Sequence, residues 1–257
     1  MNPIHLTILT GGSRGMGLSM AKRSLRTDSH LLTIARHIST ELADEAQRKD
    51  ATLTQWTQDL AETTAAAQRL GEWLADLDAG AIASATLINN AGVIPRIGPL
   101  DECPPSELAN ALRVGLEAPM QLTAAFLRAT RVWVQGGWRG PRKVLNISSG
   151  LGRRAMASQA PYCAAKAGMD HFTRCSALDE ARHAQGARLV SLAPGVIDTD
   201  MQIQLRAGDP AAFPDHERFV ELKSQGQLTS PDEAAGRVLA WLQRPDFGSN
   251  PVADVRD

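Results

Sequence analysis

Thr10-Gly11-Gly12-Ser13-Arg14-Gly15-Met16-Gly17 sits between two stretches of different period. Before it, Ile4, Leu6, Ile8 and Leu9 form the short apolar run of a strand. After it, the apolar residues from Leu18 to Leu25 recur at helical spacing. The stretch therefore reads as strand, glycine turn and helix start. Glycines let the main chain approach a phosphate closely, and a helix N-terminus offers unpaired N–H groups and the positive end of a dipole. The spacing G-x-x-x-G-x-G differs from the dinucleotide fingerprint G-x-G-x-x-G, so the turn alone is suggestive and no more.

Working outward, strand-like runs at 4–10, 30–35, 51–56, 85–89, 143–148 and 187–193 alternate with helical patterns at 16–27, 40–48, 60–77, 104–134, 160–184 and 231–243. Residues 248–257 are expected to add a last short strand. That alternation predicts an α/β fold, a doubly wound parallel sheet of about seven strands with helices on both faces. The 257 residues suit one domain of ordinary size. Gly11 to Gly17, Asn90, Ser149 and Pro194 all follow expected strand ends. They should converge at the carboxyl edge, where ligands of such sheets bind. Residues 200–229 are the least regular stretch.

Tyr162 is the only tyrosine, and Lys166, one of five lysines, follows at i+4 within the small, helix-forming segment 160–168. That spacing puts phenol and ammonium on one helix face. An ammonium buried beside a phenol favours the phenolate, which would bring a tyrosine toward proton exchange near neutral pH.

Hydrophobic residues make up 43% of the chain and charged residues 21%, as in a globular protein. A net charge of −1 gives no reason to expect nucleic acid or an anionic membrane as partner. The basic clusters at Arg153-Arg154 and residues 139–143 read as solvated surface. No apolar run approaches a membrane span, and the start lacks the features of a signal peptide. Cys103, Cys163 and Cys175 are odd in number and widely spaced, so free thiols in a reducing cytoplasm are expected. Cys163 reads as a packing residue. No zinc-type histidine spacing occurs, so no metal is expected. Asp170-His171 near Ser149 invites a hydrolase triad, but there is no G-x-S-x-G elbow to support it.

Together, residues 10–17, Asn89-Asn90-Ala91-Gly92, Asn146-Ile147-Ser148-Ser149, the Tyr162/Lys166 pair and Pro194-Gly195-Val196-Ile197-Asp198-Thr199 resemble the short-chain dehydrogenase/reductase family. They occur in its order, and Ser149 stands at its serine-to-tyrosine interval. Within the family the resemblance is to the sepiapterin reductase and bacterial benzil reductase group, carried by residues 87–95, 116–122, 191–202 and 252–257. It implies an NADPH-dependent carbonyl reductase acting on a ketone or α-dicarbonyl. Ser149, Tyr162 and Lys166 would be catalytic, with Tyr162 the acid/base. Gly11, Ser13, Arg14, Gly15, Met16 and Gly17 would hold the cofactor, together with Asn90, Ala91, Gly92, Pro194, Gly195, Ile197, Thr199, Tyr162 and Lys166. Asp59 would meet the adenine. Residues 200–229 would be a substrate lid, and the helices at 104–134 and 160–184 would build a homodimer or part of a homotetramer.

NAD enzymes place an acid on the ribose 2′-hydroxyl at the end of the second strand. Here Arg36 stands there, and Arg14 lies in the glycine turn, which suits the 2′-phosphate of NADP(H). One position departs from the family pattern. Gly115 stands where a catalytic asparagine normally helps hold a water that connects the lysine to solvent. The alternative reading is thus an NADP(H)-binding sensor or interaction protein with little turnover.

Overall fold

The computed structural model describes residues 3–257. Seven parallel strands form one sheet: β1 (Ile4–Thr10), β2 (Ser29–Ala35), β3 (Thr52–Thr57), β4 (Ile82–Asn89), β5 (Arg142–Ile147), β6 (Arg188–Ala193) and β7 (Val252–Asp254). Their order is β3-β2-β1-β4-β5-β6-β7. The helices are α1 (Gly15–Ser24), α2 (Thr40–Arg48), α3 (Thr63–Ala75), α4 (Pro105–Leu112), α5 (Ala118–Gln135), α6 (Ala160–Ala181), α7 (Asp200–Arg206), α8 (His216–Ser224) and α9 (Pro231–Leu242).

Successive strand residues point to opposite faces, and both faces are covered. Ile8 enters a core with Leu70 and Leu74 of α3 and Leu122 and Phe126 of α5. Its neighbour Leu9 enters the other core, with Met20 of α1, Leu42 of α2 and Val238 of α9. This is why the strands read as unbroken apolar runs. After β3 the chain crosses back over the sheet to place β4 on the other side of β1. The two halves wind apart there, which makes the carboxyl ends of β1 and β4 the switch point at which such sheets bind ligands.

The strand ends are stitched by buried amides. Asn89 Nδ2 donates to Asn146 Oδ1 at 2.8 Å, and Asn146 Nδ2 donates to Thr173 Oγ1 at 2.8 Å. Leaving such a buried group unpaired costs about 1–3 kcal/mol, so these bonds hold β4, β5 and α6 in one register.

Three expectations change. The helix expected over 104–134 is split by a π turn, Arg113–Glu117, between α4 and α5. Pro119 explains it. Proline has no N–H for the Gly115 carbonyl four residues back, and its ring would collide with that carbonyl. The N–H of Ala118 bonds to Arg113, five residues back. The basic clusters are not simply surface. Arg142 is buried and pairs with Glu180 at 3.2 Å, because alternate residues of β5 turn inward beneath α6. Arg153 binds Asp170 at 3.1 Å. Finally, the stretch 200–229 carries α7 and α8. Leu205, Phe213 and Phe219 pack with Met156, Ile94, Ile97, Leu151 and Cys163 in a third apolar cluster. Cys163 is a packing residue, as expected. No helix of the described residues is long and apolar enough to cross a membrane.

Candidate active site

The glycine turn is built by close approach. Gly11 and Gly15 have φ of +71° and +54°, in the left-handed region that favours glycine. A Cβ on Gly17 would fall 2.0 Å from the Gly11 carbonyl oxygen and 2.6 Å from Asn90 Nδ2. So α1 starts pressed against the turn. Asn90 Nδ2 donates to the Thr10 carbonyl at 3.0 Å, and Thr10 Oγ1 accepts the N–H groups of Asn90 and Ala91 at 2.9 and 3.0 Å. The turn after β4 is thereby fixed to the turn after β1. Helix α1 has no side-chain cap and no acid in its first turn. Its free N–H groups and positive dipole end are left for an anion. Ser13 is half-buried at the turn, and Met16 is buried in the α1 core.

Arg36 is exposed just past β2, and among the described residues no carboxylate pairs with it. Asp59 is exposed past β3 and accepts the Ala61 N–H at 2.9 Å. Arg14 behaves differently from Arg36, since its guanidinium is paired with Asp200 of α7 at 2.8 Å. Thr199 reaches the turn as well, its methyl lying 3.7 Å from where a Gly15 Cβ would be. Pro194 and Gly195 follow β6, and Ile197 bridges to Thr229. A Cβ on Gly92 would lie 3.9 Å from Lys166 Nζ. The expected cofactor residues of the turns therefore stand past the carboxyl ends of β1, β4 and β6, with Arg36 and Asp59 past β2 and β3, while the Met16 side chain is buried in the core.

Ser149 follows β5 and accepts the Leu151 N–H at 3.2 Å, opening a single 3-10 turn. Tyr162 is in the first turn of α6 and Lys166 one turn on, 9% and 4% exposed. Lys166 Nζ donates to the Ile147 carbonyl at 2.7 Å and lies 5.7 Å from the centre of the Tyr162 ring.

The titration of the pair corrects one expectation. Burial pushes the Tyr162 phenol up to about 12, with the neighbouring Ser149 hydroxyl pulling it back. Burial pulls Lys166 down to about 8, against the charge of Asp170. Without ligand, the phenol is therefore held as the acid and not driven toward phenolate. Desolvation outweighs the Ser149 hydrogen bond, and the Lys166 ammonium is turned to a main-chain carbonyl. A protonated phenol beside a hydroxyl can hold a carbonyl oxygen and give it a proton.

One group had only a triad role to consider from the sequence, and another was passed over. Asp170 is buried and accepts from Ser148 Oγ and not from Ser149, while His171 faces solvent. No Ser–His–Asp triad forms. Ser148 is thus a structural neighbour of Ser149. The signal for Asp170 was an acid at i+4 from Lys166. Asp200, the partner of Arg14, carried no local signal, because 186 residues separate the two. Among the described residues no cluster of His, Cys, Asp and Glu could hold a metal ion.

This geometry has relatives. The pattern of the short chain dehydrogenase family matches residues 5–210, and the chain belongs to that family. It is 30% identical over 252 residues to the benzil reductase ((S)-benzoin forming) of Bacillus cereus, covering 98% of this chain and 99% of that one. It is 30% identical over 267 residues to the sepiapterin reductase of Xenopus tropicalis, covering 98% and 96%. In fold it matches the 3-oxoacyl-[acyl-carrier protein] reductase of Brucella melitensis in complex with NAD. There the TM-score is 0.79 and the identity 22%, over 99% of this chain and 96% of that one. The protein is an oxidoreductase of alcohol and carbonyl groups, related to the benzil and sepiapterin reductases.

Proposed function

We propose that this protein is an NADPH-dependent carbonyl reductase whose acid is Tyr162 and whose substrate is a ketone or α-dicarbonyl of benzil-like or sepiapterin-like shape. The observation that carries this reading is a buried Tyr162 and a buried Lys166 one helical turn apart on α6, with Ser149 and the uncapped glycine turn past the carboxyl ends of their strands. The cradle fits a dinucleotide. Gly17 permits the contact that a side chain would block, and α1 presents free N–H groups to a pyrophosphate. Bound there, the reduced nicotinamide supplies the hydride.

The chain's own residues do the rest. Ser149 Oγ and the Tyr162 hydroxyl hold the substrate oxygen by hydrogen bonds. The phenol proton passes to that oxygen as the carbonyl carbon is reduced. Lys166 stabilises the phenolate left behind and binds the nicotinamide ribose. Arg36 selects the 2′-phosphate, because no acid competes for it. Arg14 adds a second cation once it parts from Asp200. Asp59 would meet the adenine, Asn90, Ala91 and Gly92 would wall the adenosine side, and Ile197 and Thr199 would bracket the nicotinamide amide, with Pro194 and Gly195 also at the cofactor.

Gly115 motivates the second reading, a cofactor-binding protein with little turnover. The π turn supports the active one. Its Val114 carbonyl would normally bond the N–H of residue 118, which Arg113 takes, and the next residue, Pro119, has none to give. A carbonyl released in this way can hold the water that an asparagine amide would otherwise hold.

The chain acts as one domain over 1–257. Residues 200–229 form its lid, closed by the apolar cluster around Phe213 and joined to the glycine turn through Arg14 and Asp200. That cluster includes Leu151 and Cys163, near Ser149 and Tyr162 in the chain, which suits aromatic dicarbonyls. Exposed Val132 on α5 and Leu178 on α6, at 62% and 72%, favour a homodimer through these helices. The free thiols of Cys103, Cys163 and Cys175 suit a reducing cytoplasm. An assay of NADPH and NADH oxidation against benzil, other diketones and a ketopterin separates the two readings.

A further inference from the structure

Asp170 is 1% exposed and forms no triad with Ser149 and His171. Its carboxylate collects donors from three directions. Ser148 Oγ, at the end of β5 and next to Ser149, donates to Oδ1 at 2.6 Å. Ser191 Oγ of β6 donates to the same oxygen at 2.6 Å. Arg153 Nε, on the turn that follows Ser149, donates to Oδ2 at 3.1 Å, and Arg153 Nη2 reaches the Ala253 carbonyl of β7 at 3.0 Å. Gly152 makes room for this approach. A Cβ there would lie 3.0 Å from Asp170 Oδ2 and 2.9 Å from the Lys166 carbonyl oxygen.

We infer that Asp170 is a positioning residue for the catalytic set. It ties the strand edge and turn that carry Ser149 to the helix that carries Tyr162 and Lys166, and it does so as a buried carboxylate one helical turn beyond Lys166. The role of the set rests on the reading given above. Helix α6 meets the Ser149 turn at one charged joint, one turn beyond Lys166. An amide would leave the two serines an acceptor, but it would set a second donor against the Arg153 N–H and remove the negative charge one turn from Lys166. The charge is the part that can reach Lys166. It opposes the burial that pulls Lys166 down to about 8.

The other titratable groups around this joint are Tyr162 and Cys163 on α6, Arg153 on the turn, and Asp254 of β7. Asp254 is held by Arg256 at 2.6 Å. β5, β6 and the turn after β4 contribute neutral groups, Ile147, Ser148, Ser191 and Asn90. Arg113 and Glu117 of the π turn face solvent.

Two substitutions of opposite sign test this. Asp170→Asn removes the anion, so Lys166 loses its proton at lower pH. Arg153→Gln removes the cation that offsets Asp170, so Lys166 keeps its proton to higher pH. The readout is the lysine titration of the whole, cofactor-free protein by NMR with labelled lysine, the Lys166 signal being assigned from Lys166→Met. Activity against pH follows in parallel. The expected result is a Lys166 midpoint about one unit lower in Asp170→Asn and higher in Arg153→Gln, with the alkaline limb of kcat moving the same ways. NADPH affinity should stay within about twofold. Ser191→Ala keeps both charges, so it should lower the melting temperature and leave the midpoint in place.

Shifts of the same sign in both charge variants, or no shift, would overturn the proposal and make Asp170 a structural anchor. If Asp170→Asn does not fold, Arg153→Gln alone decides, because Arg153 is partly exposed. An unmutated protein that consumes no NADPH with any carbonyl would sink the reductase reading. The NMR midpoints would still decide the link between Asp170 and Lys166.

Discussion

Placing asparagine at position 115 restores the residue type that the family pattern has there, yet the structure predicts that it harms this protein. A Cβ on Gly115 would lie 3.0 Å from the Cβ of Ala165, the residue before Lys166. Carbon atoms attract best at about 3.5–4.0 Å, so this contact is at least half an ångström too close. Overpacking of this kind costs about 1–3 kcal/mol. The better helix propensity of asparagine returns only a few tenths. Gly115→Asn should therefore lower the melting temperature by about 2–4 °C per kcal/mol lost in a chain of this size. It should also push α6 at Lys166. Misplacement by an ångström costs up to about a hundredfold in rate, and half that displacement about tenfold in kcat. Ala165→Gly alone should cost about 1 kcal/mol through lost helix propensity. The two together should be more stable than the sum of the singles by about 1–2 kcal/mol, with kcat recovered. Denaturant unfolding and NADPH oxidation of the four proteins give the cycle. Strict additivity, with turnover of Gly115→Asn unchanged or raised, would show that the π turn yields freely and that glycine is not there for close packing.

Tyr162→Phe should lower reduction by at least about a hundredfold while NADPH binding, read by fluorescence, stays within twofold, since the ring fills the same space. Arg36→Ala should weaken NADPH about ten- to a hundredfold, the loss of one charge-assisted contact of about 1.5–3 kcal/mol, and leave NADH nearly unchanged by titration calorimetry. On pH, the phenol near 12 stays protonated throughout the working range, so Lys166 near 8 sets the limit. The pH profile of kcat/KM for the carbonyl should be flat from about 6 to 7 and fall as pH rises through about 8. Hydrogen exchange in α7 and α8 should be faster than in β4 and β5 without ligand, and should slow when NADPH and a carbonyl are both present.

Period and punctuation made much of this legible. The apolar runs of β1, β4, β5 and β6 are continuous because both sheet faces are covered, so strand and helix could be told apart by length and flanking glycine. The glycine turn and the i, i+4 spacing of Tyr162 and Lys166 were legible because both are local, and the structure has the turn at the start of α1 and the pair on one face of α6. The π turn was not read, because the apolar helix period runs through 104–134 and masks Pro119, the residue that forces it. Nor was buried charge. Arg142 and Arg153 look like surface residues until the sheet brings Glu180 and Asp170 over them. The acidity of Tyr162 depends on desolvation, a property of the packed site. Spacing can bring an ammonium near a phenol, but it cannot say that the ammonium turns to the Ile147 carbonyl.

The central claim is that this site reduces a carbonyl with NADPH through Tyr162. Its most direct test follows NADPH absorbance with benzil as substrate, for the unmutated protein and for Tyr162→Phe, with NADH as the second cofactor. The account predicts NADPH consumption matched by benzoin formation, much slower oxidation of NADH, and loss of both in Tyr162→Phe. A protein that binds NADPH yet oxidises none with benzil, other diketones or a ketopterin, or a Tyr162→Phe variant that turns over as fast as the unmutated chain, would contradict it.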